Sequence, residues 1–89
     1  MIVLDYDKNS DVLYIAKNKP CRAYSDEQAD GLLFRFSYET NAPCGVTVFD
    51  YQNHWHSNLE KLSKRVAEFL RAEPSEVQRQ IARQLHANH

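Results

Sequence analysis

Two imidazoles separated by a single residue, in His54-Trp55-His56, are the densest chemical feature of the chain. If the preceding strand ran on through them, its period of two would put both rings on one face, within reach of a common ion or substrate. Two chemistries follow. As metal ligands they would need further donors, and Cys21 and Cys44 are the two thiols the sequence supplies. Structural zinc sites, however, draw on closely spaced pairs such as Cys-x-x-Cys, and these cysteines stand far apart with no local partner. As acid and base in RNA cleavage, two side chains titrating near neutrality suit the task. Against that, no Arg/Lys cluster adjoins them to hold a phosphate, and no carboxylate is placed to fix their tautomers. A charged His56 would also meet the positive end of a helix starting just after it. The simpler reading is a junction in which Trp55 anchors a strand-to-helix corner and the histidines stay polar beside it. His54 and His56 remain the candidates for any metal or RNA-cleaving chemistry; no cofactor is expected.

Other catalytic apparatus is scarce. With two glycines, Gly31 and Gly45, the chain has no phosphate loop, dinucleotide fingerprint or nucleophile elbow. Asp5, Asp7, Asp11, Asp26, Glu27 and Asp30 lack the ordered spacing of a calcium loop and read as turn formers and a solvated face. Eighty-nine residues with 43% hydrophobic content make one small domain, residues 1–89, with a thin margin of burial. Such domains often gain the missing burial by oligomerising or docking on a partner. The net charge of −1 divides unevenly, with acid in excess over residues 1–56 and base in excess over 57–89. Neither part has a dense basic face, so nucleic acid is not the expected partner. No apolar run approaches a membrane span and no leader signature opens the chain, which predicts a cytoplasmic protein with reduced cysteines.

The elements that must position these residues follow from periodicity. Alternation predicts strands over Ile2–Asp7, Val12–Ala16, Leu32–Tyr38 and Cys44–Tyr51, with a weaker strand near Cys21–Ser25. Lys8-Asn9-Ser10-Asp11 reads as a hairpin turn, because Asn, Ser and Asp bond to nearby backbone. After Tyr51 the period lengthens. Ser57-Asn58-Leu59-Glu60 fits a capping box, and Leu59, Leu62, Val66, Phe69 and Leu70 then share one helical face over residues 57–71. Pro74 opens a second helix over 74–88, with Val77, Ile81 and Leu85 in line. The expectation is an α+β domain in which a four- to five-stranded antiparallel β-meander over residues 1–52 precedes two α-helices, the first packed on the sheet.

An antiparallel sheet covered on one side should show polar residues on the other. Here the second parity still holds Val3, Val12, Tyr14, Leu33, Phe49 and Tyr51. Either the second helix folds back over that face or another polypeptide covers it. Tyr14, Phe49 and Tyr51 are therefore the candidate aromatic anchors of an interface, since such side chains dominate interface energetics. Arg79 and Arg83, one turn apart on the second helix with His86 and His89 following, form its candidate polar rim.

Y-D-K-N-S-D-V-L-Y-I (residues 6–15), D-G-L-L-F-R-F (30–36) and G-V-T-V-F-D (45–50) together resemble the bacterial family known as domain of unknown function 2283, over about residues 3–52. The resemblance implies a compact antiparallel sheet followed by a helix, no agreed enzymatic activity, and, from some relatives encoded beside small toxin-like proteins, an antitoxin-like binding role. The chain departs from the family pattern at Asn41-Ala42-Pro43, where a glycine turn is usual, and in its second helix. The functional expectation is a non-enzymatic protein-interaction module that forms a homodimer or binds a small protein partner.

Overall fold

The computed structural model describes residues 2–19 and 21–85. Strands β1 (Ile2–Asp7) and β2 (Val12–Lys17) form the first hairpin, pairing Leu4 with Ile15 and Tyr6 with Leu13. Its turn is built from side-chain bonds: the Asp7 carboxylate accepts the N–H groups of Asn9 and Ser10, and Asp11 closes it at φ 57°. Aspartate tolerates that left-handed conformation better than most residues. Strands β3 (Ala23–Glu27), β4 (Leu33–Ser37) and β5 (Pro43–Phe49) follow as an antiparallel run, and β5 returns to lie against β2. The five-stranded order is β1-β2-β5-β4-β3, with β5 at the centre and β1 and β3 at the edges. The weak strand expected near Cys21–Ser25 exists, two residues further along.

One side of the sheet carries Ile2, Leu4, Leu13, Ile15, Phe34, Val46 and Val48, all buried. Two amphipathic helices cover that side: α1 (Leu59–Leu70) through Leu62, Val66 and Leu70, and α2 (Pro74–Leu85) through Val77 and Ile81. Arg71 at φ 58° ends α1, its left-handed turn closed by the Ala72 N–H on the Ala67 carbonyl. Pro74 opens α2 at the position where a missing N–H costs nothing. Both helices join the same core, so α2 packs beside α1 and β1 and does not cross to the other face. The expected residues 86–88 of this helix lie outside the described residues.

The passage from sheet to helix departs from the sequence reading. β5 stops at Phe49, Asp50 takes φ 54°, and Tyr51–Trp55 form a π-helical turn followed by a 3₁₀ turn over His56–Asn58. Tyr51 is therefore thrown across to the helix side and fully buried with Trp55. The predicted capping box does not form: Ser57 lies within the 3₁₀ turn, and Asn58 precedes α1 without a side-chain cap. Helical turns already run into α1 from upstream, so its first amides do not face the open end that a capping serine would serve.

Asp11 holds this corner. Its carboxylate accepts the Tyr6 hydroxyl at 2.6 Å and the Gln52 N–H at 2.9 and 3.0 Å, while its carbonyl accepts the Tyr51 N–H at 3.2 Å. One residue of the first hairpin thus fixes where the chain leaves the sheet, 41 positions later. Burial pushes the Asp11 carboxyl up, but the hydrogen bonds from Tyr6, Gln52 and Asn53 outweigh it and hold the group below its ordinary value. A second carboxylate ties the sheet to α1: Asp30 accepts the Arg65 guanidinium at 2.7 Å, and Arg65 also lies 5.1 Å from the Phe34 ring centre.

Cys21 and Cys44 are joined in a disulfide, with Cα atoms 6.7 Å apart. The expectation of two reduced thiols does not hold. Sequence spacing hides the pair, since the fold-back of β3, β4 and β5 is what brings the two positions within bridging distance.

Two outcomes test this account. Asp11→Asn should cost about 2 kcal/mol near neutral pH, the size of hydrogen bonds to a charged acceptor. Because the folded carboxyl titrates below its unfolded value, that contribution is present above about pH 4 and disappears as pH falls through the lower folded value. Urea unfolding of wild type and variant should converge in acid, and a gap independent of pH would refute the assignment. Thiol titration of the denatured protein without reductant should find no free thiol, and reduction should lower stability by about 3 kcal/mol, as expected for a closed loop of this length.

Candidate functional site

With both helices on one side, the opposite face of the sheet carries no covering element among the described residues. Strand pairing fixes its layout. Across the middle run Asp5, Tyr14, Thr47, Leu33 and Glu27; below them Val3, Ala16, Gly45, Arg35 and Ser25; and above, Asp7, Val12 and Phe49. Tyr14 is 42% exposed and Phe49 45% exposed, while Val12 and Thr47 are nearly covered by these cross-strand neighbours. The result is an aromatic and aliphatic centre. Asp5 and Asp7 edge it along β1 and Glu27 along β3, with Arg35 beside the middle.

Gly45 makes the face concave. A Cβ there would sit 2.9 Å from the Ile15 carbonyl oxygen, so the strands can approach this closely only without a side chain. The missing side chain leaves a depression of about 90 Å³ lined by Asp5, Tyr14, Arg35, Thr47 and the Cys21–Cys44 bridge. Pockets that enclose small molecules run from about 300 Å³ upward, so this one is sized for a single inserted side chain. A register shift between Arg35 and Phe36 in the β4–β5 pairing lies next to it.

The residues singled out from sequence separate clearly. Tyr14 and Phe49 lie together on the bare face, where β2 and β5 pair. Tyr51 does not join them: its ring packs edge-on to Tyr6 at 6.1 Å in the interior, and burial, then the neighbouring Tyr6 and Asp11, push its phenol up to about 12. The left-handed turn at Asp50 breaks the strand parity on which its inclusion depended. Arg79 and Arg83 are exposed on α2, on the helix side of the sheet and apart from the bare face. His86 and His89 lie outside the described residues.

His54 and His56 are not presented on a common strand face. They sit in successive helical turns, His54 edge-on to Trp55 at 5.0 Å and His56 edge-on to Tyr51 at 6.2 Å. The sulfurs that would have completed a metal set are bonded to each other, and among the described residues no group of three His, Cys, Asp or Glu side chains gathers. No described helix is long and apolar enough to cross a membrane.

Sequence reasoning placed Leu33 on this face but missed that Thr47 and Gly45 join it, because that neighbourhood depends on β5 pairing with both β2 and β4. Compared with family models, with curated proteins and with solved structures, the chain matches none.

Gly45→Ala should lower stability by about 1–3 kcal/mol, because the new methyl meets backbone and not a movable side chain. Chemical denaturation measures it, and an unchanged midpoint would show that the strands can separate at no cost.

Proposed function

We propose that this chain is a non-enzymatic binding module that docks a small protein partner on the bare face of its sheet. The observation that carries the reading is the pairing of Tyr14 and Phe49 on a face that neither helix covers. Two large aromatic rings left about half exposed at the centre of a sheet are anchors in search of a counterpart. The depression over Gly45 offers a socket for one side chain of the partner, between the Tyr14 ring and the Arg35 stem. Asp5, Asp7 and Glu27 favour a partner whose rim is basic, since opposite charges around an apolar centre orient the encounter and exclude like-charged competitors.

Size sets the class of complex. Five strands about 4.8 Å apart and about 17 Å long present roughly 300–400 Å². A standard stable interface takes about 800 Å² from each side, so this face alone supports a transient complex unless the partner also grips its edges. A role of this kind agrees with the antitoxin-like binding implied by the resemblance to domain of unknown function 2283, in which the partner would be a small toxin-like protein.

The test uses the untagged protein as bait in extract of its native cell, followed by titration of the captured partner. Tyr14→Asp and Phe49→Asp should each weaken binding at least tenfold while the unfolding midpoint stays near wild type. Arg79→Ala and Arg83→Ala should leave affinity unchanged. Retention of full affinity in the Tyr14/Phe49 double variant would overturn the proposal.

A further inference from the structure

The two edges of the sheet differ in a way that selects a second partner. β1 carries Asp5 and Asp7 and no cation, so pairing it with a copy of itself brings only acid to the seam. β3 is different. Its neighbourhood reads Arg22-Ala23-Tyr24-Ser25-Asp26, a sequence whose charges are opposite in sign and equidistant from Tyr24.

The backbone of β3 is also ready for a neighbour. The Arg22 carbonyl accepts the Tyr38 N–H and the Gln28 N–H donates to the Leu32 carbonyl, so the even-numbered residues turn their backbone groups toward β4. By alternation, the N–H and C=O groups of Ala23, Ser25 and Glu27 point outward from the free edge. Residues 24–27 are exposed, and no ion pair among the described residues engages Arg22 or Asp26.

We propose that β3 pairs antiparallel with β3 of a second copy of this chain, in the register that places Tyr24 opposite Tyr24 across a two-fold axis. That register sets Arg22 of each chain opposite Asp26 of the other, and it sets Ala23 opposite Ser25, so that the outward backbone groups bond to each other. Arg22, Tyr24 and Asp26 occupy the closer, non-hydrogen-bonded positions, where side chains interact most strongly. Shifting by one pair, so that Ser25 meets Ser25, loses both charge pairs and sets Tyr24 against Asp26. A one-residue slip is excluded by parity, because it would oppose side chains of different faces.

The aromatic surroundings add to the choice. Tyr24 stacks on Phe36 with ring centres 5.5 Å apart, and it lies 5.6 Å from Tyr38, which is 64% exposed. The two-fold axis would join this cluster to its copy and extend the sheet to ten strands, with both bare faces still open on the same side. The self-pairing is thus independent of the docking face and would double it, which raises avidity for a divalent partner.

Sedimentation over a concentration series, from micromolar to millimolar, tests the inference. Wild type should show a monomer–dimer equilibrium that weakens with salt. Arg22→Asp and Asp26→Arg should each weaken dimerisation at least tenfold, and the double exchange Arg22→Asp/Asp26→Arg should restore it, which a nonspecific contact would not do. Ser25→Pro, which deletes one outward N–H and leaves the β4 ladder intact, should also give monomer. Tyr14→Asp and Phe49→Asp should leave the dimer unchanged. A monomer at every concentration, or a dimer indifferent to the charge reversals, would overturn the inference without touching the docking face; a dimer lost only in the Tyr14 and Phe49 variants would place self-association on the bare face and overturn it as well.

Discussion

The carboxylate of Asp11 decides how the rest of this molecule is arranged. A strand that continued past Phe49 would carry Tyr51 and the following histidines along the sheet, and α1 could then start from either side. Asp11 binds the Gln52 amide and its carbonyl binds the Tyr51 amide, so the chain turns at one point and toward one side. Asp50 accepts a left-handed backbone to make that turn. Everything after it, Tyr51, Trp55, α1 and α2, packs on the same surface. The bare face is the other consequence of the same constraint.

One-sided packing makes the small core adequate and the opposite surface unusual. Two short helices give their apolar stripes to a single layer, with Leu62, Val66, Leu70, Val77 and Ile81 all sealed from water. Had α2 crossed the sheet, Tyr14 and Phe49 would be core residues and α1 would lack part of its cover. The short connection from Arg71 to Pro74 works against crossing, because a left-handed turn followed by a proline start returns the chain beside α1. The sheet is also braced laterally: the Cys21–Cys44 bridge spans from the approach to β3 to the central strand, and Arg65 pins α1 to Asp30. The bridge also lines the depression over Gly45, so the brace and the bare face share it.

The edges and the face make separate demands on the sequence. Free edges invite pairing, and proteins usually blunt them with charge. β1 does so with two aspartates, whereas β3 has Arg22 and Asp26, opposite in sign, two residues to either side of Tyr24. The face exposes Tyr14 and Phe49, and Asp5, Asp7 and Glu27 lie along its edges. His54 and His56, by contrast, do what their neighbours require. They sit beside Trp55 and Tyr51 at the corner, and the chemistry suggested by their spacing loses its geometric basis once Tyr51–Trp55 is helical.

Alternation alone was enough to place four strands to within a few residues, because period-two burial leaves a direct record in residue types. The same held for both helices through their i, i+4 stripes, and for Tyr14 and Phe49 as apolar residues on the wrong parity. Tyr51 was misread for a local reason: one left-handed residue, Asp50, reverses the side of everything downstream, and aspartate is common in turns that do nothing of the kind. The capping box failed because its serine was already inside a helical turn. The disulfide, the strand order, the concavity over Gly45 and the choice of face by α2 depend on contacts between segments far apart in the chain. Sequence by itself determined the element types and the surplus of apolar side chains, since these follow from local steric preference and periodicity. Which surface the surplus occupies was decided only by tertiary structure, because it is set by the long-range bonds of Asp11 and by the packing of two helices against a single face.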